Sequence, residues 1–369
     1  MESVERLMRP TAIDPAFWRN KNVLLTGHTG FKGAWLSLWL AHIGARVTGV
    51  ALPPPTKPSL FRAAEVDKLL AASVILDIRD RQKLVRLFKK VKPQIVIHMA
   101  AQPLVRASYL DPVLTYETNV MGTVNLLEAT RAVSTVRAVV NVTTDKCYEN
   151  IESDRGYREG DPLGGYDPYS SSKACAEIVT AAYRRSFFSS KEYVKHGVAM
   201  ATARAGNVIG GGDWAKDRLV PDCIRSLMKG KDIILRHPQA VRPWQHVLEP
   251  LCGYLMLAQK LFLKGPAFAL GWNFGPERKD VLTVKRVAEL TADGWGAASS
   301  VKIAPGRHLH EAKLLMLDIR KAKKELGWKP CLSVQQALSL TTEWYQAWAQ
   351  GSDMQRFSLK HIDDFQKRL

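Results

Sequence analysis

The sequence predicts an α/β protein: a doubly wound parallel sheet covered on both faces, with a smaller, mainly helical lobe attached. Three observations predict it. Through the first 205 residues, short apolar, β-rich runs alternate with segments of helical periodicity, the pattern of a parallel sheet buried between helices. A glycine-rich turn, TGHTGFKG at 26–33, joins the first such run to the first helical segment. After Gly206 the alternation stops, and the loop-rich GNVIGGGDWAKDRLVP leads into helical patterns with few strands.

In order, strands are expected at 22–26, 46–51, 74–77, 94–99, 138–144 and 198–205, and helices at 32–43, 80–91, 112–131 and 168–188. The third helix repeats apolar residues at Val113, Tyr116, Val120, Val124 and Leu127, a helical spacing. LPPPTKP at 52–58 reads as a rigid turn after the second strand. The chain divides into a dinucleotide-binding part, 17–206 plus about 245–275, and a substrate-binding lobe, 207–244 plus about 276–369.

Bulk properties exclude several classes. At 369 residues, 46% hydrophobic and 24% charged, the chain can bury a large core. No apolar run reaches the roughly 18 residues that span a bilayer, and the first ten residues carry acids without an apolar leader. Cys147, Cys175, Cys223, Cys252 and Cys331 are scattered with no CxxC pair, which argues for free thiols in a cytoplasmic setting and against a metal site. The net charge of +18 is spread along the chain rather than gathered into a tail. That favours solvated helix faces and a local anionic ligand over nucleic acid or membrane.

Gly27, Gly30 and Gly33 form G-x-x-G-x-x-G between strand and helix. Glycines let the backbone approach a pyrophosphate, and the helix N-terminus stabilises its charge. In that position the motif predicts a Rossmann-type dinucleotide site. An acidic residue ending the second strand, the usual partner of the adenosine ribose, is missing: Val50, Ala51 and Leu52 stand there. NAD is therefore expected to bind weakly, NADP is not excluded, and Lys32 or Arg62 is a candidate 2′-phosphate contact. Asp77 is placed at the adenine, and Asp80 at a helix cap.

Tyr169 and Lys173, in YSSSK, share one helix face. A nearby ammonium and a cationic nicotinamide both favour a phenolate, which would let Tyr169 take a proton from a substrate hydroxyl. The run NVTTDKCYEN at 141–150 closes the fifth strand with Thr143, Thr144, Asp145 and Lys146, where ligands of layered α/β folds sit.

These stretches resemble the extended short-chain dehydrogenase/reductases and, among them, the nucleotide-sugar 4,6-dehydratases. The resemblance rests on TGHTGFKG, IHMAAQPLVRASYLDP, TNVMGTVNLLEA, TTDKCY, YSSSK, RAGNVIGGGDW and LDIRKAKKELGWKP, spread from Phe17 onward. YDPYSSSK, GNVIGGGDWAKDRLVPD and RPWQHVLEPL are most like the branch acting on CDP-linked glucose. The resemblance implies a lyase that oxidises C4, eliminates water across C5–C6 and reduces C6. Catalysis would fall to Thr144, Asp145, Lys146, Tyr169 and Lys173. Where many relatives carry Thr-Asp-Glu, this chain has Thr144-Asp145-Lys146. Lys146 is then the expected base at C5, which requires a lowered pKa; the alternative is a lysine that only pairs with Asp145.

By the same resemblance the cofactor contacts are Gly27, Gly30, Phe31, Lys32, Gly33, Asp77, Ile78, Ala100, Ala101, Asn119, Tyr169 and Lys173. The nucleotide sugar would meet Gln102, Thr144, Asn207, Arg218, Arg242 and His310. Trp214 and Trp244 are expected in the core, with stacking on a base as the alternative, and His246 in a structural or polar-network role rather than on a metal. A homodimer through the helices 116–127 and 168–188 is implied. An epimerase on another nucleotide sugar would not need Asp145–Lys146. A silent dinucleotide sensor would not need the intact Tyr169 and Lys173, and an RNA-binding protein lacks the aromatic–basic segments it would use.

Overall fold

A computed structural model describes residues 13–153, 155–296, 301–304 and 315–369. Seven parallel strands form the main sheet: β1 Asn22–Thr26, β2 Arg46–Ala51, β3 Ala72–Ile75, β4 Ile95–His98, β5 Ala138–Val142, β6 Ala199–Ala205 and β10 Gly271–Phe274. Their spatial order, β10-β6-β5-β4-β1-β2-β3, reverses direction between β1 and β4. At such a reversal neighbouring connections leave toward opposite faces and open a crevice beyond the strands' carboxyl ends. The expected doubly wound sheet is what the chain forms.

Side chains alternate across the sheet because successive strand residues point to opposite faces. Leu25, Val140 and Ala201 join one core with Trp35, Trp39 and Leu255. Leu24, Val139 and Met200 join the other with Phe88 and Leu126. Helix α1, Phe31–His42, is buried from Gly33 through Leu40, and its Trp35 Nε1 donates to the Gly211 carbonyl at 2.9 Å. Each such buried aromatic or leucine is worth roughly 2–3 kcal/mol of burial. Helix α2, Arg81–Val91, is capped by Asp80 as expected, its carboxylate accepting from the Lys83 N–H at 3.0 Å.

Several boundaries differ from the sequence reading. β3 ends at Ile75, short of 77, because the Asp77 carboxylate turns back to accept from Arg79 N, Nε and Nη2. β5 ends at Val142, short of 144: Thr143 N still donates to the Ala203 carbonyl at 2.9 Å, and the chain then leaves the ladder for a 3₁₀ turn, Asp145–Cys147, capped by Thr144. The expected helix over 112–131 (α3) is continuous but holds a π turn, Glu117–Met121, between Pro112–Tyr116 and Gly122–Arg131. The lobe beyond Gly206 contains more β structure than its sequence suggests. β7 Asn207–Ile209, β9 Val241–His246 and β11 Val281–Thr283 form a mixed three-stranded sheet, and β8 Ile233–Leu235 pairs with β12 Val301–Ile303. The three-residue strands β7, β8, β11 and β12 carry too little alternation to be read from sequence, and the six-residue β9, VRPWQH, holds a proline that argues against a strand. Helix α5, Leu248–Lys264, returns beneath β5 and β6, and β10 closes the main sheet against β6. Trp214 and Trp244 are buried, as anticipated.

Candidate active site

The glycine turn follows β1 at the sheet's reversal point. Gly27 has φ +80°, and a Cβ there would lie 2.8 Å from Ala100 N. A Cβ on Gly33 would fall 2.0 Å from the Gly27 carbonyl oxygen, so neither position admits a side chain. Gly30 precedes α1 with no side chain capping its N–H groups, leaving them for an anion. This open cradle at a helix N-terminus fits a dinucleotide pyrophosphate. Across the crevice, Thr26 Oγ1 accepts from Met99 N and Ala100 N at 3.1 Å each and bonds His98 Nδ1 at 2.7 Å. Burial pushes His98 down to about 3, so it is a neutral strut here.

One cleft of about 2080 Å³ runs from this cradle into the lobe. Its walls include Gly27, Gly30, Phe31, Lys32, Gly33, Asp77, Ile78, Ala100, Ala101 and Gln102, then Thr144, Asp145, Lys146, Tyr169 and Lys173, and finally Asn207, Arg218 and Arg242. Asn119 stands behind the wall: its Oδ1 accepts from Gln102 N at 2.8 Å, and its Nδ2 donates to Gln102 O and Ser172 Oγ. Arg62 lies against the Phe61 ring. His310 lies outside the described residues. Near β2's end the cleft meets Ala51, Leu52 and Pro53, with no carboxylate among them, as the sequence indicates.

Helix α4, Pro168–Ser186, starts at Asp167, whose carboxylate caps Ser170 N and Oγ. It presents Tyr169 and Lys173 on one face, and Lys173 Nζ donates to the Val142 carbonyl at 3.1 Å. Opposite them, Thr144 Oγ1 donates to Asp145 Oδ1 at 3.0 Å, and Lys146 Nζ reaches the same oxygen at 3.5 Å. Asp145 is buried and its Oδ2 has no partner. Gly206 leaves that oxygen room, since a Cβ there would come within 3.0 Å of it. Lys146 remains a third exposed.

Electrostatics depart from expectation at the tyrosine. Burial pushes Tyr169 up to about 12, while its hydrogen bond with Thr144 pulls the other way. The phenolate is thus not favoured by the polypeptide alone, and a cationic ring beside it has to supply the missing stabilisation. The depressed amines are two neighbours. Burial lowers Lys173 to about 8, and burial with repulsion from Lys173 and Arg218 lowers Lys32 to about 7. Lys32 Nζ lies 5.8 Å from the Tyr254 ring centroid and interacts with Asp145, at the catalytic end of the cleft rather than beside Leu52.

Sequence reasoning passed over one group directly behind this site, the buried Glu177–Arg204 pair. Glu177 falls one helical turn beyond Lys173, and that spacing was the available signal.

The profile of the GDP-mannose 4,6 dehydratase family matches residues 24–341. The chain belongs to this family. It is 52% identical over 353 residues to the CDP-glucose 4,6-dehydratase of Salmonella typhimurium, an alignment covering 96% of this chain and 98% of that one. A dTDP-glucose 4,6-dehydratase of Xanthomonas campestris is 27% identical, covering 89% and 95%. Among solved structures, DesIV, a dTDP-glucose 4,6-dehydratase of Streptomyces venezuelae with NAD and TYD bound, superposes with TM-score 0.75 at 27% identity. It covers 90% of this chain and 98% of DesIV. Among the described residues no helix is long and apolar enough to cross a membrane, and no metal-binding group of side chains occurs.

Proposed function

We propose that the protein is an NAD-dependent lyase converting CDP-glucose to CDP-4-keto-6-deoxyglucose, a step of deoxysugar synthesis. One observation carries the reading. In a chain 52% identical to a CDP-glucose 4,6-dehydratase, Asp145 and Lys146 line the same cleft as Tyr169 and Lys173. An epimerase has no elimination for that acid–amine pair to perform.

NAD held in the Gly27–Gly33 cradle would supply the hydride-accepting and hydride-donating chemistry needed at C4 and C6. The polypeptide moves the protons. Tyr169 takes the proton of the C4 hydroxyl, and the resulting ketone acidifies C5–H. The 3.5 Å contact between Lys146 and Asp145 allows one proton to shift between an ion pair and a neutral amine–acid pair. The reading requires the neutral pair once the sugar has displaced water from this third-exposed amine, which spares two desolvated charges. The neutral amine removes the C5 proton, Asp145 protonates O6, and water leaves. Lys146 then gives its proton back at C5 as C6 is reduced. The proton held by Tyr169 returns to Asp145 through Thr144, which is hydrogen-bonded to both. Lys173 anchors the end of β5 through the Val142 carbonyl, just ahead of the turn.

Arg218 and Arg242 would take the diphosphate, on a lobe-side wall that also carries Arg225, Lys229, Lys231 and Arg236, with Arg218, Arg225 and Arg236 paired to Asp213, Asp222 and Asp217. This gives the basic excess a local use, since guanidinium groups bind phosphate oxygens in pairs. A homodimer and a cytoplasmic setting complete the reading, the latter supported by five free cysteines.

The test is turnover of CDP-, UDP-, dTDP- and GDP-glucose side by side with NAD⁺, read by the alkaline chromophore of a keto-deoxy sugar. CDP-glucose should be the preferred substrate by kcat/KM, and no turnover of any of the four contradicts the reading.

A further inference from the structure

We infer that the buried Glu177–Arg204 pair is a positioning clamp that holds the Thr144–Lys146 turn in register with Tyr169 and Lys173. The inference rests on the dehydratase reading above. The Glu177 carboxylate is saturated by four donors. Its Oε1 accepts from Thr143 Oγ1 at 2.5 Å and Arg204 Nε at 2.9 Å. Its Oε2 accepts from Thr202 Oγ1 at 2.6 Å and Arg204 Nη2 at 2.8 Å. Arg204 then reaches past the turn, Nη1 donating to Tyr148 OH at 2.6 Å, with its guanidinium 4.8 Å from the Tyr148 ring centroid. Tyr148 OH in turn donates a hydrogen bond to Asn273 Oδ1 at 2.8 Å.

Thr143 and Tyr148 bracket the segment that carries Thr144, Asp145 and Lys146. The carboxylate therefore grips one end of that segment directly and the other end through Arg204. Glu177 sits on α4, one turn beyond Lys173 and two beyond Tyr169. One helix face thus sets the phenol, the ammonium and the clamp that fixes the acid–amine pair. The arrangement has an asymmetric consequence. Tyr169 and Lys173 are carried by α4 and meet the strand end and turn only through Thr144 and Val142, whereas Asp145 and Lys146 lie wholly on a short 3₁₀ turn. Loosening the clamp should spare oxidation at C4 and impair elimination at C5–C6. Small misplacements of a proton-transferring group cost about a hundredfold in rate.

The experiment compares the wild-type enzyme with Glu177→Gln, and with Thr143→Val, which removes one hydrogen bond and leaves the ion pair. Two quantities are read: single-turnover formation of reduced nicotinamide by absorbance, and formation of the 4-keto-6-deoxy product. In Glu177→Gln, product formation should fall about thirtyfold or more while cofactor reduction falls less than about threefold, so reduced cofactor accumulates. Thr143→Val should show the same imbalance, about fivefold. Equal losses in both steps, or no loss in either, overturn the clamp. If Glu177→Gln does not fold, Thr143→Val decides alone by the same ratio. Wild-type enzyme inert toward every nucleotide glucose would instead overturn the function on which the clamp rests, so the two failures are distinguishable.

Discussion

Lys32 shows what a single residue can add to a familiar loop. It stands in the glycine turn, yet its amine shares the catalytic end of the cleft with Lys173, Arg218 and Asp145. Two like charges and burial lower it to about 7, and an anionic pyrophosphate reverses that balance by favouring the ammonium. With no carboxylate at Leu52 for the ribose, this cation is the group we propose cofactor affinity leans on. Lys32→Met should weaken NAD⁺ binding about tenfold, by titration calorimetry at moderate salt. The sign with pH follows from the depressed value: as pH rises through about 7 the free amine loses its charge, so wild-type affinity should decline while that of the variant changes less. Residue identities such as Tyr169, Lys173, Asp145 and Lys146 were legible in the sequence because their spacing and strand-end position are local facts. The rise of Tyr169 to about 12 was not, because desolvation depends on everything packed around the phenol.

At the scale of elements, the glycine turn, the six leading strands and the four longest helices before β6 were legible because each carries an apolar run or period of its own, whereas short helices such as Val105–Leu110 were not. The 3₁₀ turn after β5, the π turn around Asn119 and the three-residue strands of the lobe were not. Each is decided by side-chain capping or tertiary pairing rather than by period. Helices also leave one face without a partner. Leu110 is 88% exposed, Val113 66% and Ile178 54%, and Tyr116 OH ties α3 to α4 through Ser171 Oγ at 2.6 Å. A second copy of the chain packing its own α3 and α4 there would form a four-helix contact. Val113→Glu with Ile178→Glu should shift the protein to monomer by light scattering, because two carboxylates would be desolvated in each copy's contact. An unchanged mass would count against this face as the interface.

For the molecule as a whole, two halves of the chain converge on one cleft. The parallel sheet sets the cofactor cradle at its reversal point, and β7, β9 and the arginines of the lobe bound the opposite end. The sequence indicated both halves and the return of the chain to the sheet near Trp272–Gly275, where β10 pairs with β6, but not the contacts behind the active site. The Glu177–Arg204 clamp joins α4, β5 and β6 through residues far apart in the chain, so it was visible only in three dimensions. All of this architecture serves one chemical claim, that an amine beside a buried carboxylic acid removes the C5 proton of a sugar held against Tyr169. Lys146→Met tests it most directly, by following reduced cofactor and 6-deoxy product in one reaction with CDP-glucose. The account predicts that nicotinamide is still reduced while product formation drops by about a hundredfold or more; full product turnover by that variant would contradict it.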